Sequence, residues 1–248
     1  MNDPHVATLK YRLVVDEPLQ FHDPPDVEIS TLDFTGRLSG GSLRLEPRGH
    51  FETESEVRPL ADAYVAAWEI DAGLRCGPKF HFLFEGSEIV DRQPTPGTIA
   101  VTLADSLSHT SVDSLSVTVT LSAYPNPPQA FVVTPEVEIL WARYCQYVAN
   151  REPLTGMAYF NYTVIKATAG SIRNAAQHFG IQEKVLKRLG ELSSERGDNL
   201  IARKVTPRRK PLSQIEKNWV ECAIKAIIRQ LATRQSGTRL MMSDLPPL

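Results

Sequence analysis

The stretch AYPNPPQAF, residues 123–131, decides the fold, because the pattern of apolar residues changes across it. It carries three prolines in nine residues, and proline supports neither a continuous helix nor the interior of a sheet. Segments before it alternate apolar and polar residues as strands do, whereas segments after it repeat apolar residues at helical spacing. We therefore predict an α+β protein, with a Pro-rich linker over residues 123–133 between a β-rich domain and a helical domain.

The predicted β-rich domain covers residues 1–122. A Gly40-Gly41 pair between two alternating runs is typical of a hairpin turn. Thr53 and Glu56 fit a capping box and are followed by apolar residues at helical spacing, which predicts one inserted helix that ends at Gly73 or Gly77. Strands are predicted in ATLKYRLVVD (7–16), VEISTLDFTGRLSGGSLRLEP (27–47), KFHFLFEGSEIV (79–90), GTIAVTLAD (97–105) and DSLSVTVTLSAYP (113–125).

The predicted helical domain covers residues 134–235 and holds four helices. Thr134-Pro135 provides a cap and a proline at the first helical position. A second helix follows Pro153 and runs through Phe179 on one continuous apolar stripe, and a third extends from Gln182 to about Ser194. The last helix opens with a second capping box, Ser213 with Glu216. The remaining residues, 236–248, have no clear period and are predicted to form a loose tail, in which Leu240–Met242 could dock.

The charge of the chain divides at about the same point. Residues 1–134 hold nine Lys and Arg against 19 Asp and Glu, whereas residues 135–248 hold 18 against 10. A step of this size predicts two parts with different surfaces. The positive half would either meet a polyanion such as nucleic acid or dock against the negative half of its own chain.

Other features exclude several classes of protein. No apolar run reaches the roughly 20 residues that span a bilayer, and the first ten residues lack the basic start and apolar core of a secretory signal. The three cysteines are far apart and form no CxxC pair, so we expect neither a disulfide framework nor a zinc site. We therefore expect a cytoplasmic protein with no membrane association, no metal and no cofactor.

One candidate site lies in GSIRNAAQHFGI, residues 170–181. Its Arg173-Asn174 pair and His178 have the spacing used by a family of helical RNA-cleaving domains. In such a site His178 would be the general acid or base on a ribose 2′-hydroxyl, and Arg173 would stabilise the developing phosphorane charge. A ribonuclease is therefore one hypothesis, and an ordinary helix surface is the other.

Two observations weaken the ribonuclease hypothesis. With 18 arginines and 6 histidines in the chain, about one Arg-to-His match is expected by chance, and two further matches lie in the β-rich part. Side chains five positions apart on a straight helix also differ by about 140°. Arg173 and His178 would therefore converge only at a bend in the helix or between the subunits of a homodimer.

A second candidate is LGELSSERGDNLIARK, residues 189–204, between the third helix and the last. Four helices with an arginine-containing turn before the final one resemble the HEPN superfamily of nucleotide-binding and RNase domains. The resemblance puts Arg196 at the signature arginine, Asp198 at the polar residue and Ala202-Arg203 at the Ala-His pair. An arginine in place of the histidine cannot exchange protons near neutral pH, so the resemblance implies a domain that binds without cleaving.

A broader resemblance covers most of residues 50–232. The segments AYVAAWEIDAGLRCGPKFHFLFEGSEIVDR and LGELSSERGDNLIARK, with PLSQIEKNWVECAIKAIIRQL, are similar to a group of bacterial proteins labelled methylamine-utilisation accessory protein J. That label comes from gene context and implies no established activity. It adds a third hypothesis, an accessory factor of an amine-oxidising system.

A basic loop completes the candidates. Five cations lie within eight residues: Arg203, Lys204, Arg208, Arg209 and Lys210. Such a cluster suits contacts with a phosphate backbone, and its binding would depend steeply on salt; the alternative is a solvated loop. We therefore predict a bacterial, non-catalytic binding or regulatory module whose helical domain contacts RNA, a nucleotide or a protein partner through this loop and the turn at Arg196 and Asp198.

Overall fold

The computed structural model describes residues 2–16, 19–94, 119–195, 211–233 and 238–248. The chain forms two compact units, residues 1–129 and 130–248. The first holds a five-stranded antiparallel sheet with one helix, and the second is helical, so the α+β fold class predicted from the sequence is confirmed. Among the described helices, none combines the length and the apolarity that a membrane span requires.

The sheet of the first unit has the strand order β3-β4-β5-β1-β6. The turn between β4 and β5 is the predicted Gly40-Gly41 pair, with φ of 54° and 79°, values that glycine adopts readily. The longest pairing joins β1 to β6 and has two register shifts, one at Ala7 and one at Glu85, between the Lys10 and Tyr11 pairs. The strands are β1 (Pro4–Val15), β2 (Leu19–Phe21), β3 (Val27–Ser30), β4 (Phe34–Ser39), β5 (Ser42–Pro47), β6 (Phe80–Asp91) and β7 (Val119–Leu121).

Helix α1 (Glu54–Cys76) provides the apolar side chains that cover one face of the sheet. Val57, Ala61, Val65 and Trp68 recur at intervals of three and four residues and are buried in the same core as the strands. The other face of the sheet is polar, with ion pairs such as Arg12–Glu85 at 2.9 Å. This division into a buried face and a charged face is typical of an antiparallel sheet.

The start of α1 departs from the prediction. Thr53 is the N-cap, but its side chain accepts no capping hydrogen bond. The Glu56 carboxylate instead accepts the backbone N–H of Glu52 at 3.0 Å, one residue earlier than a capping box requires. The sequence signature is therefore present without the interaction that it normally indicates.

The Pro-rich segment begins inside the first unit. Tyr124 is buried, and its hydroxyl accepts the N–H of Gly41 at 2.9 Å. The carbonyl of Pro125 accepts the Trp68 indole N–H at 3.0 Å. Strand β7, just before this segment, pairs in parallel with β2. The predicted strand at residues 97–105, and the part of the next one before residue 119, lie outside the described residues.

The second unit has five described helices: α2 (Pro135–Val148), α3 (Leu154–Ala169), α4 (Ile172–His178), α5 (Glu183–Glu195) and α6 (Gln214–Thr233). The predicted caps of α2 and α6 are both present. Thr134 Oγ1 accepts the N–H of Val137, and Ser213 and Glu216 exchange both bonds of a capping box at 2.9 and 3.2 Å. The core contains fully buried side chains from α2, α3, α5 and α6, among them Leu140, Met157, Leu189 and Trp219.

One prediction about this unit is wrong. The predicted second helix is two helices, because Gly170 adopts a left-handed conformation with φ of 76° and ends α3. In the tail, of which residues 238–248 are described, Leu240 docks as the sequence allowed, and both Leu240 and Leu245 are buried. The Leu240 N–H donates to the carbonyl of Gly180 at 2.9 Å.

Candidate anion-binding pocket

A surface pocket of about 360 Å³ lies beside helix α4 in the helical unit. Arg173, Ala176 and Gln177 contribute to it from α4, at a spacing of three and four residues that places them on one side of the helix, and Gly180 contributes from the turn that follows α4. The first residue of α5 and the C-terminal segment complete it. Its lining residues are Arg173, Ala176, Gln177, Gly180, Glu183 and Arg239.

The break between α3 and α4 positions Arg173. Ser171 is the N-cap of α4, and its hydroxyl accepts the N–H of Asn174 at 3.1 Å. The Asn174 side chain donates back to the carbonyl of Ala169 at 3.3 Å, in the last turn of α3. Asn174 thus joins the two helix ends, and α4 presents Arg173 as an exposed side chain at the pocket.

The C-terminal segment brings Arg239 to the same pocket. Ile181 and Leu240 form a parallel bridge, and the N–H of Gln182 donates to the carbonyl of Leu240 at 2.8 Å. The Arg239 guanidinium donates to the carbonyl of Ile181 at 3.2 Å. One of its N–H groups is used in this way, and its other donors make no hydrogen bond with the described residues, so they can serve a ligand.

Gly180 permits this close approach of the C-terminal segment. It has a left-handed φ of 63°, and a Cβ at this position would lie 3.2 Å from the carbonyl oxygen of Thr238. A side chain here would therefore be strained and would press on the backbone of the segment that carries Arg239.

The electrostatics of the pocket favour an anion. The hydrogen bond from Lys187, with Nζ 2.8 Å from Oε1, holds the pKa of the Glu183 carboxyl below its usual range, and the charges of Arg173 and Arg239 lower it further. Lys187 therefore balances the charge of Glu183. Within the described part of the chain neither arginine forms a salt bridge, so the two guanidinium charges are left for a ligand.

His178 lies elsewhere on α4. It is exposed, and its ring packs edge-on against Phe179 with centroids 4.6 Å apart. It does not line the pocket that Arg173 lines, as expected for positions that differ by about 140° around a helix. Within one chain the structure thus brings Arg173 together with Gln177, Glu183 and Arg239.

The other predicted binding residues lie outside the described residues, and their interactions are not described. These are Arg196, Asp198, Arg203, Lys204, Arg208, Arg209 and Lys210. Of the six pocket residues only Arg173 was predicted as a site residue, and the charged residues that were missed are Glu183 and Arg239. The glycine at position 180, between two helical patterns, was the one available signal for Glu183, because a tight turn there puts the start of α5 beside α4. Arg239 had no such signal, since the tail has no periodicity.

In the part of the chain that the structure describes, no group of three His, Cys, Asp or Glu residues is arranged to hold a metal ion. Comparison of the chain with known protein families, with curated protein sequences and with solved structures finds no match. The geometry of the pocket is therefore the basis for the function proposed below.

Proposed function

We propose that the protein is a non-catalytic binding module whose helical unit recognises the phosphate group of a nucleotide or of RNA. The observation that carries this proposal is the presence of Arg173 and Arg239 in one pocket, where neither forms a salt bridge with a described carboxylate and the charge of Glu183 is already balanced by Lys187. A guanidinium presents a planar fork of N–H donors that matches two phosphate oxygens. The Gln177 amide adds a neutral donor beside them.

The chemistry of the pocket supports binding over catalysis. Ribose-phosphate cleavage requires a group that accepts and returns a proton near neutral pH. Glu183 lines the pocket, but Lys187 lowers its pKa and keeps it a weakly basic carboxylate. His178, the group suited to proton transfer, does not line the pocket.

The HEPN resemblance supports the same proposal. It implies a nucleotide- or RNA-binding helical domain in which Arg203 takes the place of the catalytic histidine. We propose that Arg196 and the basic segment of residues 203–210 add contacts to the phosphate backbone. Such contacts would extend a single phosphate site to a polymer and make its affinity depend on salt.

The test measures binding of inorganic phosphate, a nucleoside monophosphate and a short single-stranded RNA by isothermal titration at low salt. Arg173→Ala and Arg239→Ala should each weaken binding of every phosphate probe about tenfold, because each removes a charge-assisted bond. Lys184→Ala is the matched control: it removes a cation from an exposed position on α5 that does not line the pocket, and we expect less than about twofold change.

The same titrations identify the ligand class. A gain in affinity from inorganic phosphate to the nucleoside monophosphate indicates a nucleotide site, and a further gain with RNA that falls with added salt indicates a polymer site. Unchanged phosphate binding in both arginine variants would contradict the proposal. Metal-independent RNA cleavage by the wild type that is lost in His178→Ala would establish the ribonuclease hypothesis instead.

A further inference from the structure

A second pocket, of about 250 Å³, lies in the first unit between α1 and β6. The side chains that matter for its chemistry are Tyr11, Arg58, Asp62, Glu69 and Phe84, and Val65 and Ala66 form part of its wall. It thus combines two carboxylates and one guanidinium with apolar walls. A pocket of this composition selects ligands by charge. The sign of that charge depends on which of these groups are already paired within the protein.

Two of the three charged groups neutralise each other. The Tyr11 hydroxyl donates to Asp62 Oδ1 at 2.9 Å, and Arg58 Nε lies 3.4 Å from Asp62 Oδ2. Both oxygens of Asp62 are therefore used within the protein. Because Tyr11 is buried in the core of the sheet, its hydrogen bond fixes the position of Asp62 and hence of the Arg58–Asp62 pair.

Arg58 has further partners. Its Nη1 lies 3.2 Å from Oε1 of Glu54, one turn earlier on α1, and its guanidinium lies over the ring of Phe84, 4.0 Å from the centroid. Two carboxylates thus share one arginine charge, and the ring covers one face of the guanidinium. Arg58 is therefore a poor site for an incoming anion.

Glu69 is the lining charge that remains. Its Oε1 accepts the backbone N–H of Phe82 at 2.6 Å. Over the described residues, Glu69 forms no salt bridge, so its negative charge has no counter-ion inside the pocket. Burial raises the pKa of the Glu69 carboxyl, and the nearby Asp62 charge raises it further, while the Phe82 N–H opposes both. A partly buried carboxylate in this position gains from a cation that replaces the lost water.

We propose that this pocket binds a small organic ammonium ion, with the cation at Glu69 and a short apolar body against Val65, Ala66 and Phe84. The pocket volume of about 250 Å³ lies below the roughly 300–1,000 Å³ of pockets for drug-sized ligands, which sets the scale of the ligand at a small amine. Oε2 of Glu69, which makes no hydrogen bond with the described residues, supplies the acceptor, and the apolar wall of α1 selects against fully hydrated cations.

The test titrates the full-length protein with benzylammonium, benzyl alcohol and benzoate, which share a ring and differ in charge. Binding is followed by chemical-shift changes in a 15N-correlated NMR spectrum. We expect saturable binding of benzylammonium with shifts at the amides of residues 65–69 and 82–84. Benzyl alcohol and benzoate should bind at least tenfold more weakly.

Two variants separate charge from shape. Glu69→Gln keeps a carbonyl oxygen for the Phe82 N–H but removes the charge, and should weaken benzylammonium binding at least tenfold. Ala66→Leu leaves Glu69 in place and fills part of the wall, and should also reduce binding. Glu46→Gln, an exposed carboxylate on β5 outside the pocket, is the matched control and should bind as the wild type does.

Three results would overturn the inference. These are no saturable shift with benzylammonium in the folded wild type, equal affinity in wild type and Glu69→Gln, or tighter binding of benzoate, which would assign the pocket to Arg58. Thermal unfolding of each variant is recorded first. If Glu69→Gln does not fold, Ala66→Leu and the charge series on the wild type still decide the question.

Discussion

The two pockets differ in the environment of the glutamate that lines each of them. Lys187 hydrogen-bonds to Glu183 in the helical unit and lowers the pKa of its carboxyl, whereas burial raises the pKa of Glu69 in the β-rich unit. Where the glutamate has its own lysine, the neighbouring arginines are left for an anion. Where the arginine is already shared by two carboxylates, the third carboxylate is left for a cation. The distribution of internal ion pairs therefore decides the charge of each pocket.

The largest effect should come from removing the segment that supplies Arg239. Deletion of residues 238–248 removes one of the two guanidinium groups and exposes the apolar surface now covered by Leu240 and Leu245. We expect phosphate binding to fall at least tenfold. The unfolding free energy of the helical unit should fall by about 2–4 kcal/mol, from two buried leucines. Denaturant unfolding and phosphate titration measure the two effects.

Arg239→Ala on the full-length chain is the matched control for this deletion. It should reproduce most of the loss of phosphate binding and little of the loss of stability, because Leu240 and Leu245 stay in place. Benzylammonium binding to the β-rich unit should be unchanged in both variants. Equal phosphate affinity in the deleted and full-length chains would contradict the role given to the C-terminal segment.

The features that the sequence predicted correctly depend on neighbouring residues. The Gly40-Gly41 turn requires only that two adjacent residues adopt positive φ. The caps at Thr134 and Ser213 depend on groups three residues apart. Such patterns depend on a few neighbouring residues, and the interactions that they predict are present in the folded chain.

The features that were missed depend on distant residues. The apolar stripe continues from α3 into α4, so it does not reveal the break at Gly170, which follows from the left-handed conformation of that residue. Arg239 reaches Ile181 across 58 positions of the chain, in a tail without periodicity. Glu69 follows the pattern of a helix surface, and its burial depends on the packing of α1 against β6. These features depend on tertiary contacts, and the spacing of residues along the chain does not reveal them.

The opposite pKa shifts predict opposite responses to acid. Below the raised pKa of Glu69, its carboxyl is protonated, and affinity for benzylammonium should fall about tenfold per pH unit. The decline should begin at a higher pH than for an exposed glutamate. Sulfate, whose charge stays constant, should bind the helical unit with undiminished affinity to about pH 5, because Glu183 has a lowered pKa and its protonation would only remove a negative charge.

The measurement is a pair of NMR titrations from neutral pH to about pH 4, a range that contains the usual glutamate pKa. The raised pKa of Glu69 also makes the stability of the protein depend on pH. Since folding raises the pKa of Glu69, its contribution to stability is present at low pH and is lost as the pH rises through the raised value. Glu69→Gln should therefore flatten this part of the pH dependence, and an unchanged profile in that variant would assign it to another group.

A smaller effect should come from the core of the helical unit. Asn161 is fully buried, its Nδ2 lies 3.4 Å from the sulfur of Met157, and its Oδ1 has no hydrogen-bond partner among the described residues. Asn161→Leu replaces the unpaired oxygen with an apolar side chain of similar size and should raise the unfolding free energy by about 1–2 kcal/mol. Denaturant unfolding measures this change in free energy, and the phosphate affinity of the variant should equal that of the wild type.

Asn161→Ala is the control for this variant. It removes the same amide and leaves a void, so the loss of packing should offset part of the gain. A leucine variant that is less stable than the wild type would mean that Oδ1 has a partner, such as a buried water, in the native protein. Hydrogen exchange on peptides from each unit should place the change in the helical unit alone.

The smallest effect should come from the capping-box sequence that begins one helix in each unit. Ser213 and Glu216 exchange two backbone bonds at the start of α6, whereas Thr53 makes no capping bond at the start of α1. Ser213→Ala should therefore lower the unfolding free energy of the helical unit by about 1 kcal/mol, the usual value of a lost cap. Thr53→Ala should change that of the β-rich unit by less than about 0.5 kcal/mol. Equal losses in both variants, measured by denaturant unfolding with unit-resolved hydrogen exchange, would mean that Thr53 caps α1 in solution, as the sequence alone predicts.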